Sequence, residues 1–147
     1  MFEISERVHA GLELMAALAA AYAKDQRLSL KSVAQASGLS ATYLEEIAAD
    51  LRQAKLIEGR QGPCGGYRLT HAPNEITLAH IGTALEGEVV LVECQKGSVA
   101  CPHAKNCRTK SIWHGLQRLI QKHLCSTSLS DILSPSYDSS SKNPHLP

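Results

Sequence analysis

Residues 29–54 read SLKSVAQASGLSATYLEEIAADLRQA, two stretches of helical apolar period separated by Ser37-Gly38-Leu39-Ser40. From Ser29 to Ala36, Leu30, Val33 and Ala34 share one face. Ser37-Gly38 stops that stretch, because glycine adopts the left-handed conformation that closes a helix. The Ser40 hydroxyl can cap the free amides of a third helix running to about Ala54, with Leu44, Ile47, Ala48 and Leu51 as its inner face. Two short helices at this separation have the spacing of a helix-turn-helix.

Upstream, Val8, Leu12, Met15, Leu18, Ala19 and Tyr22 recur at three- and four-residue intervals, which predicts a long first helix from Ser5 to Ala23. Downstream, residues 55–60 and 67–70 read as two strands. Gln61 to Gly66 (QGPCGG) is the turn between them, so the pair forms a hairpin with a glycine-rich tip, in the position of a wing. Thr77 to Leu85 predicts a helix with Leu78, Ile81 and Leu85 inward, ended by Gly87. Residues 88–108 lack a helical period and hold Cys94, Cys101 and Cys107. Between about Thr109 and Leu124, Ile112, Trp113, Leu116, Leu119, Ile120 and Leu124 form an apolar stripe that must be buried, and the same helix of a second subunit is the expected cover. Ser128 to Asp131 resembles a capping box opening a short turn through Leu133. The chain therefore divides into 1–87, a cysteine loop 88–108, a helical part 109–133 and a tail 134–147 whose Ser/Pro/Asn content predicts disorder.

The 147 residues include 44% apolar side chains, 15 Lys+Arg, 14 Asp+Glu and 5 Cys. With so few aromatic residues the core must be aliphatic, and the expected class is mainly α. No apolar run reaches the roughly 18 to 20 residues of a membrane span, and the acidic start Phe2-Glu3-Ile4-Ser5-Glu6 is not that of a signal peptide; a soluble cytoplasmic protein is expected. The near-zero net charge hides a division. Residues 71–93 are acidic, whereas 94–124 carry six basic side chains and no acidic one. That basic block covers the cysteine cluster, where cations favour thiolates. An odd number of cysteines, three within fourteen positions, suggests a metal or redox site and not a disulfide framework.

Five segments carry a resemblance: Ser40-Ala41-Thr42-Tyr43-Leu44-Glu45, Leu51 to Ile57 (LRQAKLI), Gly62 to Leu69 (GPCGGYRL), Ile76-Thr77-Leu78 and Ala84-Leu85-Glu86-Gly87. Over residues 1–133 the chain resembles the IscR/NsrR-type winged helix-turn-helix regulators, the Rrf-two family. The resemblance implies a DNA-binding domain with a β-hairpin wing, a long C-terminal dimerisation helix, and a homodimer that binds double-stranded promoter DNA, most often as a repressor. The third helix would enter the major groove, where Ser40, Thr42, Tyr43 and Glu45 can reach base edges or phosphates. Glu45 can accept from cytosine N4 while repelling phosphates, or can instead serve as a capping partner of Thr42. Cations for the phosphates would come from Lys31, Arg52, Lys55, Arg60 and Arg68; Arg52 and Lys55 can equally form ion pairs with Asp50 and Glu58. In the wing, Gly62, Gly65 and Gly66 permit close approach to the DNA backbone or minor groove.

Two positions depart from the family pattern. Relatives usually place arginine directly before the Gly-Pro; here that position is Gln61, and Arg60 lies one residue earlier, on the other side of an alternating strand. Where relatives commonly carry another glycine stands Cys64, either a tolerated substitution or a thiol whose oxidation alters DNA binding.

The C-x6-C-x5-C spacing of Cys94, Cys101 and Cys107 lies close to where cluster-bearing relatives place three cysteines, which implies an iron–sulfur cluster, 2Fe–2S ahead of 4Fe–4S. The resemblance does not supply the fourth ligand: the position three residues after the last cysteine is Lys110, and the matching position on the first helix is Val8. His9 of the partner subunit and His103 rank first among the remaining candidates, with His114 and Glu93 behind them. Cys125 reads as an ordinary buried thiol. Such a protein would sense redox state, iron or nitric oxide. The alternatives keep the DNA role with the cysteines as thiol switches or a zinc site, or make the winged helix a protein-interaction module. No phosphate loop, nucleophile elbow or acid/base pair points to an enzyme.

Overall fold

Hydroxyl side chains set where the helices begin. The computed structural model describes residues 3–92 and 106–134, and among them five of six helices open on a serine or threonine whose oxygen accepts an amide of the first turn. These are α1 (Glu6–Tyr22, capped by Ser5), α2 (Leu30–Ser37, by Ser29), α3 (Ala41–Gln53, by Ser40), α4 (Leu78–Glu86, by Thr77) and α6 (Leu129–Leu133, by Ser128). Only α5 (Lys110–Ser126) starts without a side-chain cap bond. Gly38 ends α2 at φ 74°, its N–H donating to the Ala34 carbonyl, as the sequence predicts.

Between α3 and α4 lies a two-stranded antiparallel hairpin, β1 (Ile57–Arg60) and β2 (Gly66–Leu69), paired Ile57 with Leu69 and Arg60 with Gly66. The expected first strand starts two residues late for a local reason. Lys55 takes φ 60°, closing α3, and its carbonyl accepts from the Thr70 hydroxyl at 2.6 Å. Mainly α with a hairpin wing is therefore the observed class.

The core is aliphatic. Leu44, Ile47, Ala48 and Leu51 of α3 are fully buried, as their spacing predicts, against Leu14, Met15 and Leu18 of α1 and Ile81 and Leu85 of α4. The stripe expected on α1 is only partly correct. Met15, Leu18 and Ala19 are buried, but so are Ala10, Gly11, Leu14 and Ala21, while Val8 and Leu12 sit at the margin and Tyr22 is 43% exposed. The reason is that α1 packs against α2, α3, α4, α6 and β2, so small residues line its close contacts. A Cβ added to Gly11 would lie 2.3 Å from a Leu85 methyl.

The chain returns to this core after α5. Leu78 N–H donates to Thr127 and Leu129 N–H to Ile76, both at 2.9 Å, which seats Leu129 fully buried under α1. Helix α5 itself packs along α4 and buries none of its residues; Ile112 and Leu119 stay about two-thirds exposed. Cys125, expected inside, is exposed near its end. Cys94, Cys101, Glu93, His103 and the tail from residue 135 lie outside the described residues. No helix among the described residues is long and apolar enough to cross a membrane.

Ile47→Ala removes a side chain with no exposed surface, so urea denaturation should show a loss of about 2–5 kcal/mol, against less than about 0.5 kcal/mol for Glu46→Ala on the exposed side.

Candidate nucleic-acid interface

The buried face of α3 dictates what its other face presents. With Leu44, Ile47, Ala48 and Leu51 inward, Thr42, Glu45, Glu46 and Arg52 are exposed. Tyr43 is half-buried, its ring against the core margin. Ser40 is exposed, with its oxygen accepting the Tyr43 amide at 3.0 Å. Tyr43 therefore occupies the position at which a capping-box acid would stand, and Glu45 has no hydrogen bond or ion pair among the described residues. The capping role considered for Glu45 with Thr42 does not occur.

The cations divide into two sets. Asp50 is taken by Arg7, which hydrogen-bonds to it and ties α1 to α3; that contact raises the Arg7 pKa. Glu58 is taken by Arg68 at 2.6 Å and Arg27 at 3.0 Å, and Arg68 also reaches Asp25 at 3.1 Å. The carboxylates considered for Arg52 and Lys55 are thus occupied by other partners. Lys31, Arg52, Lys55 and Arg60 are exposed and form no ion pair among the described residues. Arg68, expected as a DNA cation, is engaged within the protein.

In the wing, Gln61, Gly62, Pro63 and Cys64 form an exposed tip closed by the Gly65 N–H donating to the Gly62 carbonyl at 2.9 Å. Gly66 has a role beyond the one its sequence suggested. At φ 125° it lies against the Leu28 backbone, where a Cβ would come within 2.7 Å of the carbonyl oxygen. Arg60 stands opposite Gly66 on the strand and is exposed.

Of the expected metal ligands, Cys107, His9 and His114 are described, the last exposed on α5. Cys107 is half-buried just before α5, its sulfur 3.5 Å from the Thr109 hydroxyl. That contact, with the amides of Thr109 and Lys110, lowers its pKa. His9 is exposed on α1, and no group of three potential ligands occurs among the described residues.

Sequence reasoning missed the ion pairs because they join distant positions, Arg7 with Asp50 and Arg27 with Glu58. The Glu58–Arg68 pair carried a signal in the hairpin register, which sets these residues opposite each other.

A sequence profile of the Rrf2 family, described as iron-dependent transcriptional regulators, matches residues 4–135. The chain belongs to the Rrf2 family. Protein rrf2 of Nitratidesulfovibrio vulgaris is 32% identical over 114 residues, which cover 78% of this chain and 76% of that protein. The structure of CymR, the global cysteine regulator of B. subtilis, aligns with a TM-score of 0.72 at 33% identity, covering 90% of this chain and 96% of CymR. T. potens IscR gives a TM-score of 0.72 at 32% identity over 90% of this chain and 86% of that one. This Rrf2 protein is a DNA-binding transcriptional regulator with the winged helix-turn-helix fold, and it is not an enzyme.

Glu58 gives the interface a pH signature. Hydrogen bonds from Arg68, then Arg27, hold its carboxyl below the ordinary value. Its contribution to stability is therefore fully present above the ordinary carboxylate pKa and is lost as pH falls through the lowered folded value. Because the pair is half exposed the effect is small. Thermal melts should show wild type above Glu58→Gln at neutral pH, with the gap closing in acid; a gap independent of pH would contradict this.

Proposed function

We propose that this Rrf2 protein is a homodimeric regulator, acting as a repressor, that sets α3 into the major groove of promoter DNA and responds to redox state, iron or nitric oxide through an iron–sulfur centre. The observation that carries the DNA reading is the division of α3 into a wholly buried face and an exposed one bearing Thr42, Glu45 and Arg52. Ser40 and Tyr43 lie at its N-terminal end, where a recognition helix meets base edges. Lys31, Arg52, Lys55 and Arg60 supply phosphate contacts, and Gln61 and Gly62 at the wing tip approach the adjacent groove. Glu45 acts as a selector, accepting from cytosine and disfavouring other bases.

Support for the dimer comes from α5, a helix with an apolar stripe and no buried residue in its own protomer. A second α5 against it buries Ile112 and Leu119 and spaces two α3 helices for a pseudo-palindromic site. On this reading residues 1–87 bind DNA, 88–108 hold the ligand and 109–133 carry the dimer contact. Promoter DNA as partner places the protein in the cytoplasm.

The donor chemistry suits the metal group. Cys94, Cys101 and Cys107 offer three thiols, the usual ligands of iron–sulfur centres, and Cys107 is drawn toward its thiolate by the donors that open α5. His9 of the partner subunit or His103 completes the set. When bound, a 2Fe–2S centre supplies a charge and ligand count that change on reduction or loss. The residues that hold it lead directly into α5, so occupancy and α5 placement share one segment. A second reading makes the cysteines thiol switches, favoured by the exposure of Cys64 at the wing tip.

Anaerobic purification with iron and sulfide counts, repeated for Cys101→Ala, tests the proposal. About two of each per subunit in wild type, lost in the variant, fits a 2Fe–2S sensor, and about four fits a 4Fe–4S one. Loaded and iron-free protein should then differ at least about fivefold in affinity for one duplex. Protein that stays free of iron after reconstitution, or equal affinities, would sink the cluster reading and leave the thiol reading.

A further inference from the structure

Four charged side chains meet where the wing joins the rest of the fold. Glu58 Oε1 accepts from Arg68 Nε at 2.6 Å and from Arg27 Nη2 at 3.0 Å. Arg68 Nη1 donates to Asp25 Oδ1 at 3.1 Å, and Arg27 Nη1 to the Gly66 carbonyl at 3.4 Å. Beneath them the backbone makes a matching tie. Leu28 N–H donates to Tyr67 O at 3.0 Å and Tyr67 N–H to Leu28 O at 2.8 Å, so Leu28 acts as a one-residue third strand on the free edge of β2.

A two-stranded hairpin of four-residue strands is marginal alone, so the angle of this wing depends on what holds it from outside. The side chains at the junction are suited to that work and poorly suited to gripping phosphate. Two arginines face two carboxylates, which leaves no net charge, and Glu58 would repel a phosphate brought to Arg68. The geometry also needs a guanidinium. One planar fork spans Glu58 on the neighbouring strand and Asp25 in the turn after α1, which a lysine ammonium cannot do in the same way. Asp25 itself is held at φ 48°, a left-handed placement that non-glycine residues seldom take, and it is there that its carboxylate meets Arg68.

We propose that Arg27, Glu58, Arg68 and Asp25 are positioning residues that clamp the wing to the α1–α2 turn at the angle DNA binding requires, and that Arg68 is not a phosphate contact. The proposal rests on the reading that α3 and the wing face DNA. It inverts an electrostatic expectation. Removing the Glu58 charge from a DNA-binding domain should tighten binding if charge alone mattered, whereas loss of the clamp weakens it.

The test uses the 147-residue chain, wild type and the variants Glu58→Gln, Arg68→Lys and Arg68→Gln, each shown to be folded at the assay temperature by circular dichroism. The probe is a duplex selected by wild-type protein from a random-sequence library. Affinity is measured across a salt series and contacts are mapped by hydroxyl-radical footprinting. All three variants should bind about threefold to tenfold more weakly. Their salt slopes should fall together by about one, because a misplaced wing takes Arg60 from the phosphates, whereas a direct phosphate contact by Arg68 would leave the charge-keeping Arg68→Lys at the wild-type slope. The footprint should keep its central protection and lose the flanks the wing covers, which general destabilisation would not do selectively. Tighter binding by Glu58→Gln, wild-type affinity in Arg68→Lys, or flanking protection that persists in the variants would overturn the clamp alone. A wild-type footprint without flanks, or no salt-dependent binding by wild type, would overturn the DNA-face reading and the clamp together.

Discussion

The burial of one face of α3 beneath α1 is the constraint on which the rest of the molecule depends. Leu44, Ile47, Ala48 and Leu51 have no exposed surface, and spacings of three and four residues place all of them on one side of the helix. With that side fixed, α3 cannot rotate, and Thr42, Glu45 and Arg52 are held outward. Gly11 lets α1, α3 and α4 meet closely, since the place of its missing side chain is filled by Leu85 and bordered by Ile47. The Arg7–Asp50 pair then ties the start of α1 to the second half of α3.

A domain with balanced charge can still bind DNA when its charges are sorted by position. Arg7, Arg27 and Arg68 are neutralised by Asp50, Glu58 and Asp25 of the same chain. Lys31, Arg52, Lys55 and Arg60 remain exposed without ion pairs among the described residues, on α2, at the end of α3 and in the wing. Glu3, Glu6 and Glu13 lie before or within α1, whereas Glu45 and Glu46 stay exposed on α3 in the same helix as Arg52. Affinity from counterion release depends on the local cluster that meets the phosphates, not on the sum over the chain.

What the sequence made legible follows the same physics. The inner face of α3 is read correctly at every position because that helix is buried on one side only, the case in which helical period is informative. The stripe on α1 is read in part, since a helix packed on several sides buries alanines and a glycine that carry no amphipathic signal. Lys55 and Asp25 both take positive φ without being glycine, so neither carries a compositional mark of its turn. Arg68 looks like a DNA cation in the sequence because its partner Asp25 is distant, although Glu58 follows from strand register. The stripe on α5 is legible, while the exposure of Ile112 and Leu119 beside the contact with α4 appears only once the packing of the described residues is seen.

Outward presentation of α3 is the claim that everything functional in this molecule requires, and Glu45 is its most exposed chemical consequence, a carboxylate with no partner among the described residues. The most direct measurement is sequence selection from a random duplex library by wild type and Glu45→Ala side by side. The variant should relax preference at one base pair in each half-site, a loss of about 1–3 kcal/mol of discrimination there, with thermal stability unchanged. Identical selected sequences from the two proteins would contradict the account of α3 as the reading element.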